Sequence, residues 1–242
     1  MGNQSLPRKA AVGMHEEEGS ASVRETLFLL SNEFADPASP LHAEDPLVIA
    51  PDAGRGSGLA PHVLVSAPHS APHERGDRLL PPEYGTGALA VMLARTLGCA
   101  ALCKTAQAGD ANWDAESPYR DRACELVREH GIRALIDLHQ MRAERPQSFE
   151  VGSGHGANVL GRRDLVDTVA GGLEAAELGP VVVDGLFSAS KPVTVSASVS
   201  RRCQIPCIQI EINSGLVLDP DRFARVFGTL ARIVRRLEGL TA

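Results

Sequence analysis

Apolar residues along the chain fall into two alternating kinds of segment: short runs, and longer stretches in which they recur every three or four positions. That alternation predicts strands interleaved with helices packed on a sheet. The runs Leu27–Leu30, Leu47–Ala50, Val63–Ser66, Ala100–Lys104, Ala134–Leu138, Pro180–Val183 and Ile208–Ile212 are expected as strands. Several are apolar on both faces, as buried central strands are. A helix is expected over Pro82–Leu97, with Leu89, Met92, Leu93 and Leu97 on one face and two prolines suited to its start. A second begins at Ser117 and Pro118 and ends near His130, where Gly131 supplies the stop. The last helix carries Phe223, Val226, Phe227, Leu230, Ile233, Val234 and Leu237 at helical spacing, a stripe that faces a core. The expected fold class is α/β: a single domain over residues 23–242 with a mostly parallel or mixed central sheet flanked by helices. Residues 1–22, with the acidic run Glu16–Glu18 and little apolar periodicity, are expected to form a flexible tail.

Composition narrows the function classes. Hydrophobic residues make up 43% and charged residues 22%, ordinary for a soluble protein, and no run approaches the roughly 18 apolar residues of a membrane span. The net charge is −6 and the basic residues are scattered or paired with acids, which argues against a nucleic-acid partner. Five cysteines and an N-terminus without an apolar signal core point to a reducing cytoplasm. Cys99 and Cys103, and Cys203 and Cys207, lack the two-residue spacing of zinc ribbons or redox motifs, so they read as structural. Cys124 and Cys203 sit in no recognisable nucleophile turn.

Three expected strands end in polar residues that a packed core would not select. Val63–Ser66 runs into His69, Ala134–Leu138 into His139, and Ile208–Ile210 into Glu211. Ligands bind beyond the carboxyl ends of strands in open α/β sheets, so the three ends can converge on one crevice. Two imidazoles and a carboxylate there are ingredients of a catalytic zinc site, although each residue alone has an ordinary hydrogen-bonding role.

Ser66-Ala67-Pro68-His69, Glu83-Tyr84-Gly85-Thr86, Leu135-Ile136-Asp137-Leu138-His139 and Gln209-Ile210-Glu211-Ile212-Asn213 follow one another in that order. Over roughly residues 60–238 this resembles the N-formylglutamate amidohydrolase family, which is similar in turn to zinc carboxypeptidases and phage poly-γ-glutamate hydrolases. The resemblance implies a zinc carboxypeptidase-like fold and one Zn2+ per chain. It implies that His69, Glu83 and His139 hold the metal and that Glu211 is the general acid/base. Residues 70–82 form a longer gap than the family usually has between its first His and its Glu, so Glu74 and His73 are rivals of Glu83 for the second ligand. Asp137, on the same strand face as His139, is expected either to orient that imidazole or to make a backbone contact. Asp110-Ala111-Asn112 resembles the family's Asp-x-Asn segment, which places Asn112 at the substrate. Trp113 stands where many relatives have a carboxylate-clamping Arg, leaving Arg75, Arg120 and Arg201 as candidate replacements, with Arg75 and Arg120 preferred.

The activity implied is hydrolysis of an amide or peptide bond in a small molecule or short peptide, an N-acyl amino acid or small-peptide substrate, with neither nucleic acid nor membrane as partner. Two alternatives share the residues: a deacylase of the aspartoacylase or succinylglutamate type, and a metal-free binding protein on the same fold. The acyl group, the amine and the oligomeric state carry no signal in the sequence.

Overall fold

The computed structural model describes residues 23–43, 45–52 and 62–241. The N-terminal tail expected over residues 1–22 lies outside them. The first described element, α1 (residues 23–35), is a helix and corrects the strand expected at Leu27–Leu30. Leu27, Leu30 and Phe34 are buried while Phe28 and Leu29 are exposed, so the apolar run straddles a helical stripe and its edge. A run of four cannot show which period it belongs to.

Next come β1 (Leu47–Ile49), β2 (Val63–Ala67), a hairpin of β3 (His73–Arg75) and β4 (Arg78–Leu80), and α2 (Thr86–Leu97). They are followed by β5 (Ala100–Cys103), the short β6 (Ala108–Gly109), α3 (Pro118–His130), β7 (Ala134–Met141) and β8 (Phe149–Gly152). The chain closes with α4 (Arg163–Glu174), β9 (Val181–Val183), α5 (Val195–Cys203), β10 (Cys207–Asn213), the short α6 (Ser214–Val217) and α7 (Pro220–Thr241). Ser117 caps α3 by accepting from Arg120 N, and left-handed Gly131 ends it, as its sequence predicts. The helix expected from Pro82 instead starts at Thr86. Gly85 has φ +90°, and a side chain there would meet the Phe223 ring at 2.8 Å, so Glu83–Gly85 form a turn into α2 rather than its first residues.

The main sheet is mixed, in the order β1-β5-β2-β7-β10-β8-β9. Strands β5, β2, β7 and β10 are parallel, whereas β1 and β8 pair antiparallel to β5 and β10. From β2 the chain moves to β5 on one side and later to β7 on the other, which opens a crevice beyond the carboxyl ends of β2 and β7.

One sheet face is apolar along its length: Val63, Val65, Ile136, Leu138, Ile208, Ile210 and Ile212 pack with α1, α2, α4 and α7. The other changes character along each strand. Leu64, Leu135 and Cys207 pack with α3 and α5, but the following residues on the same face are Ser66, Asp137, His139, Gln209 and Glu211. A second sheet, β4-β3-β6, brings β6 beside β3 and delivers Asp110 next to His73 and Arg75.

Candidate metal centre

His69 follows β2, His139 lies near the end of β7, and Glu83 arrives from the turn before α2. A backbone bond from Glu83 N to His69 O, 2.8 Å long, closes the base of the excursion that carries the β3–β4 hairpin. The Glu83 carboxylate then spans both imidazoles: Oε1 lies 2.9 Å from His69 Nδ1 and Oε2 lies 3.1 Å from His139 Nδ1. The opposite ring nitrogens are already held. His69 Nε2 is 2.8 Å from Asp110 Oδ1, and His139 Nε2 is 3.2 Å from Asp137 Oδ2. A carboxylate only accepts, so His69 Nε2 carries a proton towards Asp110 and its Nδ1 is the atom turned to Glu83; at His139, Nε2 faces both Asp137 and the Asn112 amide donor, and Nδ1 is again the atom turned to Glu83. Four ligands at roughly 2.0–2.1 Å in a tetrahedron stand about 3.3 Å from one another. The three donor atoms, all within 4.8 Å of one another and both histidines buried, fit that set.

The charges agree with the donor set. Burial opposes ionisation of Glu83, but His69 and His139 override it and hold the carboxyl well below the usual carboxylate range. Burial likewise works against charge on the histidines. Glu83 and Asp110 nevertheless raise His69, and Glu83 and Asp137 raise His139 well above an ordinary imidazole. Protons on two imidazoles thus occupy the electrostatic place of a divalent cation.

A second group, His69, His73 and Asp110, is built differently. Asp110 already accepts from Arg75 Nε at 2.6 Å on one oxygen and from Asn112 N at 2.8 Å on the other, so both of its oxygens are engaged by protein donors. The His73 ring stacks on His69 at 4.0 Å, and burial, followed by the neighbouring His69, pushes it down to about 4. Glu74 is exposed on β3. Of the three rivals for the second ligand, only Glu83 stands between the two Nδ1 atoms.

Glu211 is the register partner of His139 on one side and of Glu150 on the other. It faces a cavity of about 430 Å3 that also exposes His69, Glu83 and His139. Burial, with help from Glu83 and Glu150 and against His139 and His69, pushes its carboxyl up to about 8. Gln209 Nε2 donates to Glu211 Oε1 at 3.1 Å and to Phe187 O at 3.3 Å, tying the carboxyl to the cavity wall.

No protein-family model and no curated protein matches the chain. Solved structures do. An N-formylglutamate amidohydrolase from Ralstonia eutropha superposes with a TM-score of 0.60 at 17% identity, covering 81% of this chain and 98% of that one. A gene product of Agrobacterium tumefaciens gives 0.59 at 15%, covering 84% and 99%. The chain has the fold of an N-formylglutamate amidohydrolase. A bacteriophage poly-γ-glutamate hydrolase aligns more loosely, with a TM-score of 0.48 at 16% identity over 81% of this chain and 89% of that one.

On this amidohydrolase fold the candidate substrate residues separate. Arg75 lines the cavity; its Nε is fixed on Asp110 and its guanidinium lies 5.5 Å from the centre of the Trp113 ring. Asn112 also lines it, with Nδ2 2.9 Å from His139 Nε2 and Oδ1 accepting from Val195 N at 2.8 Å. Arg120 does not. Its guanidinium is buried and donates to the carbonyls of Ala111, Val193, Asp114 and Ala115 at 2.5–2.8 Å, so it braces the loop that carries Asn112. Arg201 is exposed on α5, away from the residues lining the cavity. Two cavity cations went unread in the sequence: Lys191, 5.8 Å from the Trp113 ring centre, and Arg145, 5.6 Å from that of Phe187. Both lie in segments between regular elements, where no periodicity marks them.

Proposed function

We propose that the chain is a zinc-dependent amidohydrolase that cleaves an amide bond in a small, carboxylate-bearing N-acyl amino acid or short peptide. The observation that carries this reading is the Glu83 carboxylate set between two Nδ1 atoms whose Nε2 partners are already fixed by Asp110 and Asp137. His69, Glu83 and His139 hold the zinc. When bound, it polarises the amide carbonyl and makes a water molecule acidic enough to lose a proton near neutral pH. Glu211 accepts that proton and passes it to the leaving amine, a task suited to a buried carboxyl whose proton affinity is raised towards neutrality. Asn112 and Arg75 orient the substrate, and Arg75, Lys191 and Arg145 give the cavity the positive rim that an anionic substrate needs.

No helix among the described residues is long and apolar enough to cross a membrane. All five cysteines are free, a state suited to the reducing cytoplasm in which we place the protein. The test is elemental analysis of wild type, Glu83→Ala and His139→Ala, alongside amide hydrolysis by wild type and Glu211→Gln. About one zinc per chain, lost in both ligand variants, with activity lost in Glu211→Gln while zinc stays, is the expected result. A wild type unable to take up zinc sinks the reading.

A further inference from the structure

The cavity at the metal centre has an apolar lining as well as its polar one. Trp113, Leu186 and Phe187 all border it, and Leu186 and Trp113 keep 64% and 52% of their surface exposed. Single exposed apolar residues are ordinary on a protein surface, but here two of them share one concave site with a third apolar side chain. At about 430 Å3 the space is of the size that encloses a drug-sized ligand, more than an amide and a carboxylate fill by themselves.

The segment that carries Leu186 and Phe187 is fastened on both sides of them. Asp184 N donates to Val151 O at 2.8 Å, and Asp184 Oδ1 accepts from Ser153 N at 2.7 Å. Phe187 N donates to the fully buried Glu150 carboxylate, and Phe187 O accepts from Gln209 Nε2 at 3.3 Å. Gly152 lets this backbone lie against β8, because a Cβ there would meet Phe187 O at 2.5 Å. A segment so held is not free to swing and bury Leu186 elsewhere, so the exposure belongs to the fold. The two rings are flanked by cations: Arg75 and Lys191 lie 5.5 and 5.8 Å from the centre of Trp113, and Arg145 lies 5.6 Å from that of Phe187. Positive charge and apolar surface are thus neighbours around one opening.

We propose that Trp113, Leu186 and Phe187 form an apolar subsite, and that the substrate carries a bulky apolar group as well as its carboxylate. The inference rests on the amidohydrolase reading of the metal centre and adds to it the chemistry of the substrate. The apolar group comes from one side of the scissile amide, as a long or aromatic acyl chain or as the side chain of the amino acid. The cations beside the rings take the carboxylate, and the exposed apolar surfaces shed their water against the apolar group. A fully buried methylene tightens binding by about fourfold. A subsite open to solvent takes part of that for each methylene, which places a hexanoyl or benzoyl group about tenfold or more above acetyl.

The test measures kcat/KM of the full-length, zinc-loaded protein on two series of compounds. One is glycine bearing formyl, acetyl, butanoyl, hexanoyl or benzoyl groups; the other is the N-acetyl derivatives of glycine, alanine, leucine and phenylalanine. Expected is a rise of about tenfold or more from the smallest to the largest member of at least one series, which identifies the side from which the apolar group enters. In Leu186→Ser, an exposed position outside the core, that rise should shrink to less than about threefold. A flat or falling trend in both series, or a rise that Leu186→Ser leaves at full size, overturns the subsite while cleavage itself leaves the amidohydrolase reading standing. If nothing is cleaved, the same compounds are titrated against the fluorescence of Trp113, the single tryptophan of the chain. Tighter binding of the larger members, lost in Leu186→Ser, then upholds the subsite and rejects the amidohydrolase reading; equal affinity across both series overturns the subsite as well.

Discussion

In Glu211→Gln, a side chain of the same length replaces a carboxyl that is only 6% exposed, removing both the charge to be buried and the oxygen that takes a proton. Two readouts should move in opposite directions. Loss of a general base lowers the rate by about 10²–10⁴-fold, or roughly 3–5 kcal/mol of barrier. Stability goes the other way. The folded-state carboxyl titrates at about 8 against an ordinary 4.5, so folding favours its protonated form. Below the lower value it imposes no penalty; the penalty grows as pH rises between the two values and is complete above the higher one. At about 1.4 kcal/mol per pKa unit the zinc-free protein carries a penalty of a few kcal/mol at pH 8, which the amide removes. For a chain of this size that corresponds to a rise in Tm of roughly 10–20 °C. Calorimetry of zinc-free wild type and variant should give nearly matching curves at pH 5 and a higher-melting variant at pH 8. Zinc content and hydrolysis are measured on the loaded proteins. Full activity in the variant removes Glu211 from the chemistry, and equal Tm values at pH 8 would falsify the account of its burial.

Zinc uptake should release about one to two protons at pH 7, because His69 and His139 hold theirs more tightly than free imidazole does and must surrender them at Nδ1. Apparent affinity therefore falls as pH is lowered, and calorimetric titration in buffers of different ionisation enthalpy reads the protons directly; no release counts against Nδ1 ligation. Arg120→Ala orphans four carbonyls and should cost roughly 3 kcal/mol or more, a fall in Tm on the order of 10 °C, with Arg120→Lys a poor rescue because it lacks the planar fork. Lys191→Ala should raise KM roughly tenfold for carboxylate substrates, leave kcat close to wild type and leave C-terminally amidated analogues unaffected. An equal effect on both substrate types rules out a charge contact.

The alternation of β10 could be read directly. Ile208, Ile210 and Ile212 announce one apolar face, and Gln209 and Glu211 announce that the other face is not core. The same reading of β7 pairs Asp137 with His139. Glu83 was harder, because its approach to His69 depends on a backbone bond across the excursion and on Gly85 turning the chain into α2, neither of which has a periodic signature. The strand expected at Leu27–Leu30 failed for a related reason: four consecutive apolar residues fit either period, and only burial of Phe34 one helical turn beyond Leu30 decides. Arg120 illustrates the limit for cations. A guanidinium serves a substrate carboxylate and a set of backbone carbonyls equally well, and the choice is made by where the following loop folds.

The bond from Glu83 N to His69 O has a consequence for how the region tolerates change. It ties the two ends of the excursion together at the base, so the spacing of the ligands is set by the clamp and not by the length of chain between them. Lengthening a closed loop adds only about 0.6 kcal/mol per doubling. The β3–β4 tip, where Gly76 turns with open space around it, is therefore a place where a peptide tag or an extra hairpin can be inserted while the chain still returns Glu83 to the same point.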